Sequence, residues 1–245
     1  MRVEVEDGVL HAEVDGDVGS PTVVLWNGAR CTTRMWDRVT PKLESVLRVV
    51  RFDVRGTGLS APAANARRYT LEQYAADVNV VLDSLDVEKA HHWAMAWGSR
   101  AALAYASLYP ERMDRLALFD ASIGKPDVKA QRRGHQEAVK KQVAAGIEPF
   151  EFPERWNHND YPDEVPKALA AARSFDLESA ADSLAVPTLV AVGDHDPNRE
   201  SSGELAHRAR DAELVVMENV GHGSILQRPD MTTTLFADFL RGTLD

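Results

Sequence analysis

The chain opens on alternating apolar and polar positions, and residues 1–27 hold three strand candidates. The third, Thr22-Val23-Val24-Leu25-Trp26, is largely apolar, as a strand covered on both faces would be. Residues 33–44 then read as helical. Leu47 to Phe52 reads as the next strand and stops at Asp53-Val54-Arg55-Gly56-Thr57-Gly58, where glycines and charge break the run. From Thr70 to Leu85 the apolar residues Leu71, Tyr74, Ala75, Val78, Val81, Leu82 and Leu85 recur at spacings of three and four. That spacing predicts an amphipathic helix, with Thr70 as its cap and Gln73 completing a capping box. A strand over His91–Ala96, an alanine-rich helix over Ser99–Tyr109 closed by Pro110, and a strand over Leu116–Phe119 follow.

Between about 121 and 185 the alternation stops. This stretch carries Lys, Arg, Glu and Pro, with Phe150, Phe152, Trp156 and Tyr161 interspersed, and offers no convincing buried strand. The rhythm resumes with a strand at Thr188–Val192, a helix around 201–210, a strand over Glu213–Met217 and a last helix over Met231–Leu240. Strands alternating with helices predict an α/β fold with a mostly parallel central sheet flanked by helices. The expected organisation is a core of residues 1–120 and 186–245 and a small helical cap of residues 121–185.

Composition narrows the function classes. A net charge of −10 disfavours nucleic acid and anionic membranes as partners, because both polyanions would be repelled. The single cysteine, Cys31, forms no internal disulfide. The N-terminus lacks the apolar core of a signal peptide, and no run approaches the roughly 18–20 apolar residues that span a bilayer. A cytoplasmic protein is expected, with a small molecule as its partner; the sequence leaves its oligomeric state open.

Parallel sheets bind ligands beyond the carboxyl ends of their strands, and four such ends carry suggestive residues. Ala94-Met95-Ala96-Trp97-Gly98 sits between a strand and a helix, where small residues permit a tight turn. It has the form of a nucleophile elbow, but Ala96 has no group that can attack a carbonyl. Asp196, in Gly193-Asp194-His195-Asp196, follows a strand and could orient a histidine; Asp194 is its rival. His222, flanked by Gly221 and Gly223, lies on a loop suited to a general base. Asn27-Gly28-Ala29-Arg30 follows the third strand and could offer backbone and side-chain donors to an oxyanion. Cys31 and Ser99 are the two candidate substitutes for a serine at 96, but a lone cysteine reads more readily as a small buried hydrophobe, and Ser99 lies about one turn into the following helix. No metal-ligand or dinucleotide spacing is present, so no cofactor and no metal is expected. Trp26, Met95, Trp97, Phe150, Phe152 and Trp156 suggest an apolar or aromatic-lined pocket, and Arg30, Arg34 and Arg100 lie near its expected rim.

These motifs resemble those of the α/β-hydrolases, in the branch of enol-lactonases, esterases, haloperoxidase-like enzymes and carbon–carbon bond hydrolases. The stretch Asp53-Val54-Arg55-Gly56-Thr57-Gly58-Leu59-Ser60 is similar to the family's D-x-R-G-x-G-x-S, and Tyr109-Pro110-Glu111-Arg112 to the segment behind its elbow. The resemblance places Ala96 at the nucleophile position, Asp196 as acid and His222 as base. It also aligns Asn27-Gly28 with the H-G oxyanion motif and makes the Trp97 amide the second oxyanion donor. Ala94 departs from the first glycine of the elbow.

Three functions are compatible with these residues. One is a hydrolase of small esters or lactones whose serine is replaced by Ala96. Another is a serine-independent enzyme in which His222 and Asp196 drive proton abstraction, elimination, decarboxylation or ring cleavage. The last is a non-catalytic small-molecule binder on the same scaffold.

Overall fold

A computed structural model describes residues 1–242 of the chain. Eight strands form one sheet in the order β1-β2-β4-β3-β5-β6-β7-β8. β1 (Arg2–Val5) and β2 (Gly8–Asp15) make an antiparallel hairpin, and β2 pairs antiparallel with β4 (Arg48–Phe52). All other pairings, through β3 (Thr22–Trp26), β5 (Ala90–Met95), β6 (Met113–Phe119), β7 (Thr188–Gly193) and β8 (Ala212–Met217), are parallel. This is the mostly parallel α/β architecture that the pattern predicts. The core expected to reach residue 245 is described to Gly242; residues 243–245 lie outside the described residues.

β3 is buried along its whole length because both faces are covered. Its side chains alternate: Val24 and Trp26 enter one hydrophobic cluster, Val23 and Leu25 the other. The first cluster packs under α2 (Leu71–Asp83), α3 (Trp97–Leu108), α6 (Leu177–Ser183) and α7 (Arg199–Arg208). The second lies under α1 (Thr40–Leu43), α8 (Ser224–Gln227) and α9 (Pro229–Arg241). The chain enters the middle of the sheet at β3, steps outward to β4, then returns past β3 to β5. That reversal leaves a crevice at the carboxyl ends of β3 and β5.

Two local expectations are corrected. Residues 33–44 form no continuous helix: a 3-10 turn over Thr33–Trp36, capped by Thr32, ends at Asp37, and α1 restarts with Pro41 in its first turn. At α2, the Thr70 hydroxyl accepts the Gln73 amide as expected. The capping box is not completed, because the Gln73 side chain is engaged by Arg68 and Asp77.

Residues 120–187 join β6 to β7 and contain no strand. Their helices are α4 (Val128–Ala144), α5 (Val165–Ala170) and α6. The Trp97 indole donates to the Leu169 carbonyl at 2.9 Å and the Tyr74 hydroxyl to the Ala168 carbonyl at 3.0 Å, fixing α5 above the sheet. α4 meets the body backbone to backbone: a Cβ on Gly134 would stand 1.9 Å from the His195 carbonyl oxygen. No helix among the described residues is long and apolar enough to cross a membrane.

Candidate active site

The turn between β5 and α3 is strained. Ala96 adopts φ 55° and ψ −110°, a region L-residues rarely occupy, which costs on the order of 1–3 kcal/mol. Its amide donates to the Phe119 carbonyl at 2.8 Å, and its carbonyl accepts the Ser99 amide. Gly98 is required by close approach, since a Cβ there would lie 2.5 Å from the Trp26 carbonyl oxygen. The turn presents Ala96 to a cavity of about 900 Å³. The Trp97 amide, at the first position of α3, has no partner within its own helix.

His222 lines the same cavity. Its Nδ1 is 2.9 Å from Asp196 Oδ2, and Asp196 is buried and also accepts the Asn198 amide. Burial works against the imidazolium, but the hydrogen bond and charge of Asp196, helped by Asp120, outweigh it and hold the His222 pKa above its ordinary value. Asp194 faces elsewhere: its Oδ1 is 2.6 Å from His195 Nδ1 and accepts the Val220 amide.

Asp120, at the end of β6, is a residue the sequence pattern did not single out. It is fully buried at φ 53°, and its Oδ2 accepts the Gly223 and Ser224 amides at 3.0 and 2.7 Å. Its Oδ1 is buried with no hydrogen-bond partner among the described residues. Burial first, then the charge of Asp196, pushes its pKa up to about 7. Asp120, Asp196 and His222 place their ligand atoms within 4.8 Å of one another, the one such group found among the described residues. Most of its lone pairs are already committed to amides and to the acid–base pair.

Of the loop after β3, Ala29 and Arg30 reach the cavity, while Asn27 and Gly28 do not. The Asn27 side-chain amide donates to the Phe52 carbonyl and Asp53 and accepts the Trp36 indole N–H, so it ties the β3 and β4 loops together. The Gly28 amide points at the Met35 sulfur, 3.3 Å away. Cys31 lines the cavity, but burial raises its thiol to about 12, which suppresses the thiolate. The Ser99 hydroxyl is buried and donates to the Phe119 carbonyl. Met95, Trp97, Phe152 and Trp156 line the cavity; Trp26 lies in the core and Phe150 lies outside the lining. Arg30 and Arg100 reach it, whereas Arg34 pairs with Glu13.

His135 of α4, which lines the cavity, is a second residue the sequence pattern did not single out. Gln227 Nε2 lies 2.8 Å from both His135 Nδ1 and the His222 carbonyl oxygen, so one amide braces both histidines. A histidine inside a helix gives no sequence signal for such a role.

The alpha/beta hydrolase fold family matches residues 21–157. The chain is 28% identical to RutD of a Caulobacter species, a candidate carbamate hydrolase, across 99% of each protein. It is 24% identical to 3-oxoadipate enol-lactonase 1 of Acinetobacter baylyi, across 95% of this chain and 93% of that one. Among solved structures, the enol-lactonase of Burkholderia xenovorans superposes with a TM-score of 0.81 at 26% identity, covering 98% of this chain and 100% of the other.

Proposed function

The chain belongs to the α/β-hydrolase fold family, and from that premise we propose that its cavity is the site of a small-ester or lactone hydrolase in which Ala96 stands where the serine nucleophile would be. One observation carries this reading: the strained turn at Ala96 and His222, held from behind by buried Asp196, face one cavity. In this reading residues 121–185 act as the cap. A hydroxyl at position 96 would attack the substrate carbonyl carbon. His222 would take its proton at Nε2, since Nδ1 is held by Asp196, and pass it to the leaving oxygen. The Trp97 and Ala29 amides would receive the developing oxyanion. Water, deprotonated by His222, would then release the acyl group. Without that hydroxyl, the chain binds such substrates but turns them over only at the residual rate of oriented binding.

The test is Ala96→Ser against the unaltered chain, on aryl esters and lactones, with intact-mass detection of an acyl adduct. A rise in hydrolysis of about 10³-fold or more, with the adduct on residue 96, supports the reading; a folded variant with neither overturns it.

The absence of a hydroxyl on Ala96 beside the His222–Asp196 pair, 2.9 Å apart, supports a second reading, in which His222 abstracts a proton from the substrate without a nucleophile. In that case the unaltered chain is already active on carbon acids and His222→Asn abolishes that activity. A pure binding protein keeps its ligand affinity and shows neither activity.

A further inference from the structure

Acidic residues outnumber basic ones 38 to 28 over the chain, yet the cavity lining reverses that balance. Arg30, Arg100, Lys125 and Arg173 line it, and no Asp or Glu does. Arg100 donates to the Ser122 and Gly124 carbonyls. The side chains of Arg30, Lys125 and Arg173 make no ion pair or hydrogen bond among the described residues. The nearest acids in sequence are turned away for identifiable reasons. Asp127 caps α4 by accepting the Ala130 amide, and Asp176 caps α6 by accepting the Ser179 amide. Asp120 and Asp196 are buried behind His222 and do not line the cavity. A cleft lined by one sign of charge focuses its field on whatever enters.

We infer that the cavity selects a substrate bearing a carboxylate on an apolar or aryl body, with Arg30, Lys125 and Arg173 as its charge-recognising residues. The body would lie against Met95, Trp97, Phe152, Trp156 and Phe175, leaving its reacting carbon near Ala96 and His222. This inference rests on the hydrolase reading for the nature of the reacting bond, but not for the recognition of charge. All three cations are solvent-exposed at the cavity, so each would meet a carboxylate as an exposed, salt-screened ion pair, and it is the three acting together that are expected to supply about tenfold in affinity.

The experiment is calorimetric binding of 4-phenylbutyrate and 4-phenylbutyramide to the unaltered chain, at about 20 mM and about 300 mM salt. The carboxylate is expected to bind about tenfold tighter than the amide at low salt, less so at high salt. The Arg30→Gln/Lys125→Gln/Arg173→Gln variant is expected to lose that preference. A Lys42→Gln/Lys89→Gln/Lys140→Gln variant, with the same change in net charge outside the cavity, is expected to keep it. Equal binding of acid and amide, a preference that survives the first triple variant, or binding of neither probe overturns the inference. Ala96→Ser assayed in parallel separates the two claims. Hydrolysis with no carboxylate preference sinks this inference alone; carboxylate preference with no hydrolysis sinks the hydrolase reading alone.

Discussion

Asp120 and Ser224 stand 104 residues apart in the chain and are joined by a 2.7 Å hydrogen bond from the Ser224 amide to the Asp120 carboxylate. With the Gly223 amide on the same oxygen, the end of β6 clamps the loop that carries His222. Asp120→Asn keeps an acceptor for both amides but removes the charge. The His222 pKa is then expected to fall, read by NMR titration of labelled histidine. Stability should change as well. A folded pKa raised from 3.8 to about 7 means that the Asp120 contribution is present below about pH 4 and is lost as pH rises toward 7. The asparagine variant should not show that loss. Asp120→Ala orphans two amides and should cost about 2–4 kcal/mol in denaturant unfolding.

His92 lies at the centre of the sheet with its Nδ1 accepting the Trp26 indole N–H at 2.9 Å and its ring stacked on Tyr105. Burial lowers its pKa from 6.5 to about 3. The unfolded chain therefore takes up this proton first, and stability falls as pH drops from 6.5 toward 3. His92→Gln retains an acceptor and does not titrate. Between about pH 7 and about pH 4.5 it should lose about 2–3 kcal/mol less stability than the unaltered chain. Identical losses in urea unfolding would refute the assignment.

Gly134→Ala sets two effects against each other. Helix propensity favours alanine by about 1 kcal/mol. The added Cβ would stand 1.9 Å from the His195 carbonyl oxygen, a backbone atom that cannot rotate away. Overpacking of this kind costs typically 1–3 kcal/mol, so the variant should melt lower, not higher. An unchanged or raised melting temperature would show that α4 is free to shift.

The strand–helix alternation was legible from the hydrophobic pattern, and so were the positions of Ala96, Asp196 and His222 beyond strand ends, where parallel sheets place their ligands. Asp120 follows a strand too, but an aspartate after a strand reads as a turn, and its partners lie in a distant segment. Asn27 carried the opposite lesson. Its position in the loop after β3 was readable, but not the three hydrogen bonds that turn its side chain into the body. At α2, the Thr70 cap needs only its own next turn, whereas Gln73 was won by Arg68 and Asp77, outside the motif. Local geometry could be read from neighbouring residues; competition between distant partners could not.

The left-handed turn at Ala96 holds a methyl group in a conformation that confers no advantage on it. Alanine and serine codons differ at a single base. On the reading proposed here, the parts that selection assembles slowly are all present: the bent backbone, the braced histidine and its buried acid. The missing part is the one that a single point mutation supplies. On that reading, a library of random single mutants under ester or lactone selection should recover position 96 ahead of any other.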